Sequence, residues 1–275
     1  MPEAHAEIGI FGGSGFYEFL ADAEEVNVST PFGAPSAPPT VGVVGGRRTA
    51  FIPRHGSRHQ FMPAAVPNRA NLWAMRMLGV SMIVGPCAVG SLSPLVHPGE
   101  FVVLDQLVDR TWGRPDTYYD AGDAHHVSYA DPYCTVVSAH AVAAGERTGV
   151  RMHASGTAVV IPGPRFSTRA ESRWYRAQGW DVVNMTQYPE AYLARELGMH
   201  YAGIALVTDY DTGVDDDPDV EPVTQAQVFA FFEQNVDRVR RLLLDMIPRI
   251  PDRASEELRT CGCADAVGPL ARYDE

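Results

Sequence analysis

The sequence predicts an α/β fold, a single domain with a mixed, mostly parallel central sheet flanked by helices. Three observations carry this prediction. Short apolar runs such as Ile8–Phe11, Met82–Val84 and Phe101–Leu104 show no polar alternation, as strands covered on both faces require. Segments with helical spacing alternate with these runs, the order that builds parallel sheets. No stretch of the 275 residues is rich enough in Gly, Pro or Ser to divide the chain, and no internal repeat is visible. One domain, residues 1–275, is therefore expected, with a core from about 8 to 250 and a tail from about 251 onward.

Ile8–Phe11 opens the sheet and runs into Gly12-Gly13-Ser14-Gly15. Val41–Val44 and Thr49–Ile52 read as the next strands. Arg69–Leu78 places Leu72, Met75, Met77 and Leu78 near helical spacing. Strands Met82–Val84 and Phe101–Leu104 follow. The polar, Pro- and aromatic-rich segment 112–132 is too long for a simple connection and suits a lid or a subunit contact. Thr135–Thr148 reads as a helix, Thr157–Ile161 as a strand, Thr168–Gln178 as a helix and Val182–Asn184 as a strand. Glu190–Leu197 reads as a helix and Ala202–Thr208 as a strand. After the acidic loop 212–222, the helix Gln225–Met246 presents Val228, Phe231, Phe232, Val236 and Val239 on one side, and Pro248 and Pro251 stop it.

Bulk properties exclude several classes. Hydrophobic residues make up 45% of the chain, enough for a well-filled core. The formal net charge of −12 argues against sequence-independent binding to nucleic acid or to an anionic membrane. No apolar run approaches the roughly 20 residues of a membrane span. The N-terminus lacks the basic and apolar regions of a signal peptide, so a cytoplasmic location is expected. Cys87, Cys134, Cys261 and Cys263 are too sparse for a disulfide scaffold. Cys261-Gly262-Cys263 reads either as a small redox or metal pair or as two unpaired thiols in a tail; with no second cysteine pair beside it the second reading is favoured, and no metal is expected.

Polar residues gather after several strands, where open α/β sheets bind ligands. The glycine cluster at Gly12–Gly15 lacks the dinucleotide pattern, because the third glycine position falls on Glu18. Ser14 would add a hydroxyl donor to a shorter anion cradle, and a plain tight turn is the alternative. In IPRHGSRH, residues 52–59, Arg54 and His55 adjoin and Arg58 and His59 follow. Cations thus gather at a strand end of an acidic chain, and Arg offers a bidentate fork to phosphate. In GPCAVGSL, residues 85–92, small residues at a strand end permit close backbone approach to a ligand. GPRFSTRAES places Phe166, Ser167 and Arg169 at the start of a helix, and VVNMTQYPEA ends a strand with Asn184, Met185 and Thr186. ALVTDYDTG ends another with Asp209 and Asp211, a spacing suited to metal or acid–base chemistry. No His-rich set accompanies the pair, which favours acid–base work. Anion donors (Ser14, Arg54, His55, Thr186), an aromatic platform (Phe166) and a carboxylate (Asp211) fit a small molecule joined to, or attacked by, phosphate.

The stretches GIFGGSGFY, IPRHGSRH, RANLWAM, CAVGSL, PGEFVVLDQLVDRT, GPRFSTRAES, NMTQYPEAYLARE and LVTDYD occur in this order from residue 8 to about 247. In them the chain resembles the trimeric purine nucleoside phosphorylase family, and most of all its branch acting on 5′-methylthio nucleosides of adenine. The resemblance implies that family's fold and reversible phosphorolysis of a purine nucleoside, with inorganic phosphate as co-substrate and no cofactor. It implies a homotrimer with a site shared between subunits, and neither nucleic acid nor membrane as partner. Matching positions give Ser14, Arg54, His55, Cys87, Ala88 and Thr186 to phosphate. They give Phe166, Ser167, Asn184, Met185, His59 and His126 to the nucleoside, His126 reaching it from a neighbouring subunit. Asp209 and Asp211 become the catalytic pair at the purine edge. In the resemblance, Asp at 211 accompanies 6-aminopurines and Asn accompanies 6-oxopurines. The alternatives are a 6-oxopurine nucleoside or methylthioinosine phosphorylase, and a nucleoside-binding module without catalysis. The last would be expected to lack Asp211 or the Arg54–His55 pair. Three departures from the family pattern stand out: Pro67 before Asn68-Arg69, Cys87 where a hydroxyl residue is common, and a longer loop after Asp211.

Overall fold

The computed structural model describes residues 5–12, 20–120, 124–212 and 223–268, without the side chains of 21 and 22. Its strands are β1 (Ile8–Gly12), β2 (Ala21–Glu25), β3 (Thr40–Val44), β4 (Arg47–Pro53), β5 (Met82–Ser91), β6 (Phe101–Leu104), β7 (Gln106–Asp109), β8 (Met152–His153), β9 (Thr157–Val160), β10 (Val182–Asn184) and β11 (His200–Tyr210). Its α-helices are α1 (Asn68–Met77), α2 (Thr135–Thr148), α3 (Arg169–Ala177), α4 (Gln187–Glu196), α5 (Gln225–Met246) and α6 (Glu256–Arg259).

The sheet is organised around β5. Along one edge β5 pairs in parallel with β11, which passes the sheet on to β6 and β8. The other edge is divided. Met82–Val84 pair with β1, Gly90 and Ser91 pair with β10, and the residues between them have no strand partner on that side among the described residues. Beyond β1 lie β4, β3 and β2; beyond β10 lie β9 and β7. Parallel pairings outnumber antiparallel ones among the described residues, six to four, as the unalternating apolar runs predict.

Helices cover both faces. Leu72 and Trp73 of α1 and Leu193 and Ala194 of α4 pack with Phe11, Ile83 and Tyr201 in one layer. Val137 and Ala141 of α2 and Leu242 and Leu243 of α5 pack with Ile8, Ile10, Met82 and Ile204 in the other. Met82 and Ile83 are neighbours in sequence yet belong to opposite layers. A strand so placed needs apolar side chains on both faces, and each fully buried Leu, Ile or Val contributes about 1.5–3 kcal/mol relative to exposure. Helix starts are set locally: Thr168 with Glu171, and Thr224 with Gln227, form reciprocal capping boxes at α3 and α5.

Four sequence expectations change. First, β5 does not end at Val84 but runs through Gly85-Pro86-Cys87 to Ser91. Pro86 is tolerated because its missing N–H falls on the unpartnered part of the divided edge. Second, β2 (ADAEE) and β7 (QLVD) are peripheral strands whose mixed composition makes no apolar run. Third, the described part of segment 112–132 includes core material: Tyr118 is fully buried, and buried Glu196 of α4 accepts from the Thr117 hydroxyl and the Tyr118 N–H. Fourth, Cys261 and Cys263 are not isolated thiols, since both lie against Cys134 and His200. No disulfide forms among the described residues. None of their helices is long and apolar enough to cross a membrane. The Pro67 departure is accommodated at the N-cap of α1, which starts at Asn68. Residues 213–222 of the acidic loop, and Ser14, lie outside the described residues.

Candidate active site

Arg54 follows β4 directly and reaches into the divided edge of β5. Its Nη1 donates to the Pro86 carbonyl at 3.1 Å, and Nε and Nη2 donate to Glu190 at 2.6 and 2.8 Å. The pair is sealed, Arg54 being 2% exposed and Glu190 0%. The Tyr201 hydroxyl also donates to Glu190, and Gly85 makes the room, since a Cβ there would collide with that hydroxyl. Burial opposes the Arg54 charge, but Glu190 outweighs it and holds the guanidinium above its ordinary range. Three of the five N–H groups are engaged by these bonds, so each terminal nitrogen retains one.

His55 Nδ1 lies 2.8 Å from the Phe61 carbonyl and must donate to it, because a carbonyl only accepts. Burial, with the neighbouring charges of Arg54 and His59, lowers its pKa to about 4, against the Phe61 hydrogen bond. The ring is therefore neutral at pH 7, with Nε2 an acceptor. His59 stacks on it at 4.5 Å in a left-handed conformation (φ 53°), and Phe229 of α5 meets His59 edge-on at 5.2 Å.

Asn184 closes the same gap from β10. Its Nδ2 donates to the Ala88 carbonyl at 3.1 Å, and its Oδ1 accepts from the Thr186 and Gln187 N–H groups at 2.7 Å each. These bonds fix Met185 and Thr186 in the turn before α4, whose regular helix begins only after the extended Tyr188 (φ −112°, ψ 133°), and leave the Asn184 amide one further N–H. Cys87 is buried and its thiol is pushed up to about 12, so it stays a neutral, weak donor. Arg114, absent from the sequence reading of the site, donates to the carbonyls of Met185, Tyr188 and Pro162 and so pins the turns after β9 and β10 together.

The carboxylates come from a β-bulge. β11 pairs Val207 with Val89 and Asp209 with Gly90, leaving Thr208 as the extra residue. Such a bulge re-aims the side chains that follow it. Asp211 N–H then donates to Ser91 at 2.9 Å. Gly90 is needed here, because a Cβ would lie 3.0 Å from Asp209 Oδ1 and 3.3 Å from Asp211 Cβ. The small residues of this strand thus make space for the protein's own polar groups. Asp209 accepts from the Thr208 hydroxyl at 2.7 Å. Burial raises it to about 6, the Thr208 bond opposing and the Asp211 charge assisting. Asp211 is 2% exposed, and burial raises its pKa against the neighbouring hydroxyls of Ser172 and Ser167. Those hydroxyls lie close enough to influence the carboxyl, yet Oδ2 and both hydroxyl oxygens lack a well-formed hydrogen bond among the described residues. Phe166 and Ser167, just before α3, are half-buried. His126 is exposed.

Of the described residues expected at the site, Arg54, Cys87, Ala88, Asn184 and Thr186 gather at the divided edge of β5 and Ser167, Asp209 and Asp211 at its end. His55 and His59 stack together next to Arg54 in sequence, Phe166 and Met185 adjoin Ser167 and Thr186 in sequence, and among the described residues no hydrogen bond or ring contact ties His126 to either group. The sequence model of the phosphorylase superfamily matches residues 7–248. The chain belongs to the phosphorylase superfamily. This phosphorylase is similar to S-methyl-5′-thioadenosine phosphorylase of Mycolicibacterium smegmatis, with 54% identity over 256 residues, 92% of this chain and 93% of the relative. It is 49% identical to a purine nucleoside phosphorylase of Streptomyces coelicolor, over 96% of this chain and 95% of the relative. Its fold matches methylthioadenosine phosphorylase from Schistosoma mansoni in complex with adenine, with a TM-score of 0.86, 37% identity, and coverage of 95% and 96% of the two chains.

Within the phosphorylase, Glu190, Tyr201, Ser172, Arg114 and Phe229 are the neighbours that sequence reading missed. Glu190 lies inside the NMTQYPEAYLARE stretch, but an acidic residue near a helix start ordinarily faces water. Its partner Arg54 is 136 positions away. Phe229 left no separate signal: it lies at the edge of the apolar stripe of α5, three residues before Phe232 and seven before Val236, and only its contact with His59 sets it apart.

Proposed function

We propose that this phosphorylase cleaves S-methyl-5′-thioadenosine with inorganic phosphate, reversibly, to adenine and 5-methylthioribose 1-phosphate. The observation that carries this is the buried Asp211 carboxyl, with its pKa raised and Oδ2 open, beside a second buried carboxyl. As the glycosidic bond breaks, the ribosyl centre becomes oxocarbenium-like and the purine takes the bond electrons. A phosphate oxygen attacks C1′, and protonated Asp211 gives its proton to N7, so adenine leaves neutral and Asp211 is left ionised. The remaining carboxylate oxygens accept from the 6-amino group. A 6-oxo group would meet lone pairs facing lone pairs.

Phosphate is held by Ser14, by the remaining N–H groups of Arg54, by the Ala88 N–H with the weak Cys87 thiol donor beside it, and by Thr186 in the turn before α4. His55 accepts the remaining P–OH through Nε2. Phe166 stacks on the base, Met185 lies beneath the ribose, and Ser167 keeps its hydroxyl beside Asp211. No cofactor takes part. His59 and Phe229 offer an aromatic, uncharged wall to the 5′ substituent, which suits a thioether better than a hydroxyl. We place His126 of the partner subunit at the same end, in a homotrimer, and the enzyme in the cytoplasm.

Side-by-side phosphorolysis of methylthioadenosine, methylthioinosine and inosine tests the substrate; an inosine preference would reject it in favour of the activity named for the Streptomyces relative. Phe229→Ala should raise KM several-fold for methylthioadenosine and much less for adenosine, and equal changes would remove Phe229 from the 5′ wall. The pH profile follows from Asp209. It stays protonated up to about pH 6, so below that pH Asp209 is an uncharged and weaker acceptor for the 6-amino group. kcat/KM for methylthioadenosine should rise with pH through about 6, and Asp209→Asn should abolish that limb; a retained limb would assign it to another group.

A further inference from the structure

We propose that the chain carries a structural zinc site, separate from the catalytic residues, that ties its C-terminal segment to the sheet. The ligands are the Sγ atoms of Cys134, Cys261 and Cys263 and Nδ1 of His200. These four atoms lie within 4.8 Å of one another, three of the residues are buried, and Cys261 is partly exposed, which gives a metal access. Nδ1 is 3.5 Å from Cys134 Sγ and 3.1 Å from Cys261 Sγ. With Zn–S near 2.3 Å and Zn–N near 2.0–2.1 Å, a tetrahedral centre needs ligand separations of about 3.5–3.8 Å. Small side-chain adjustments reach that geometry. A set of three sulfurs and one imidazole, with no carboxylate, selects zinc over hard cations such as magnesium or calcium.

The scaffold suits the role. Cys134 caps α2, and its N–H donates to Tyr201; His200 opens β11, and its N–H donates to Ser81. Two ligands thus stand on the core. The other two stand on the C-terminal segment after α6, which continues to Gly268, whose N–H donates to the Tyr119 hydroxyl. The surroundings also call for negative charge at the sulfurs. Arg195 Nη1 donates to Cys263 Sγ at 3.2 Å, and Val137 N–H donates to Cys134 Sγ at 3.5 Å. Arg195 Nε is buried without a hydrogen-bond partner among the described residues, and the guanidinium forms no ion pair among them. Three thiolates on Zn²⁺ carry a net charge of −1, which supplies the counter-charge this cation lacks. The cysteines bind as thiolates, so any thiol protons they hold pass to solvent. In the sequence only Cys261-Gly262-Cys263 stands out as a candidate pair. His200 lies 61 positions before Cys261 and Cys134 lies further upstream still, so only the fold unites the four.

The full-length protein purified under reducing conditions without chelator should contain about one zinc per chain by elemental mass spectrometry. The Cys261→Ser/Cys263→Ser double variant should fall to background zinc and melt at a lower temperature than the zinc-loaded wild type. Should the double variant fail to fold, Co²⁺ added to the wild-type apoprotein should produce thiolate charge-transfer and intense tetrahedral visible bands, abolished by Zn²⁺. Absence of zinc together with absence of those bands would overturn the site, as would a disulfide among these cysteines in the reduced preparation. Neither readout depends on which nucleoside is cleaved.

Discussion

Asp211→Asn should lower kcat for methylthioadenosine by about 10²–10⁴-fold, the usual contribution of a positioned proton donor. The amide keeps the shape of the carboxyl but has no transferable proton for N7. Its NH₂ can donate to a 6-oxo group, so the ratio of methylthioinosine to methylthioadenosine turnover should rise. Stability should not fall, because burial disfavours the ionised form of Asp211 in the wild type and Asn carries no charge. Thermal unfolding and turnover on both substrates are the measurements. An unchanged substrate ratio would remove Asp211 from the base-recognition role.

Glu190→Gln should be the most destabilising single change near the site. It leaves the Arg54 guanidinium, 2% exposed, without its counter-charge, and losing one partner of a buried ion pair costs about 3–5 kcal/mol. For a chain of this size that corresponds to a drop in Tm of roughly 10 °C. The KM for phosphate should rise as well, because Glu190 aims the fork that phosphate is proposed to meet. Arg54→Met with Glu190→Leu should recover much of the stability while leaving phosphorolysis absent. A Tm close to that of the wild type for Glu190→Gln would show that water replaces the lost partner.

The central strands were legible because β1, β5 and β11 are apolar on both faces, a pattern that survives without any knowledge of neighbours. The candidate site was legible where chemistry sits at a strand end, as with Arg54, Asp209 and Asp211. Other features depend on long-range pairing. The continuation of β5 beyond Val84 is dictated by β11, and the bulge at Thr208 exists only relative to β5. Asn184 reads as a ligand donor by type, and its backbone bonds across the gap, to Ala88 and Thr186, appear only in the fold. Glu190 and Arg114 are charges whose burial follows from the packing of α4 and of segment 112–120, and neither leaves a periodic mark.

The divided strand β5 has a mechanical consequence. Pro86–Ala88 adjoin the residues proposed to bind the attacking anion, and Gly90–Ser91 hold Asp211, the acid proposed to meet the departing base. Nucleophile and leaving group are therefore gauged from one uninterrupted length of backbone, about 10 Å from Ala88 to Ser91 at the rise of a strand. On the proposed function, their spacing is then fixed by covalent bonds along β5 and not by the closing of two bodies.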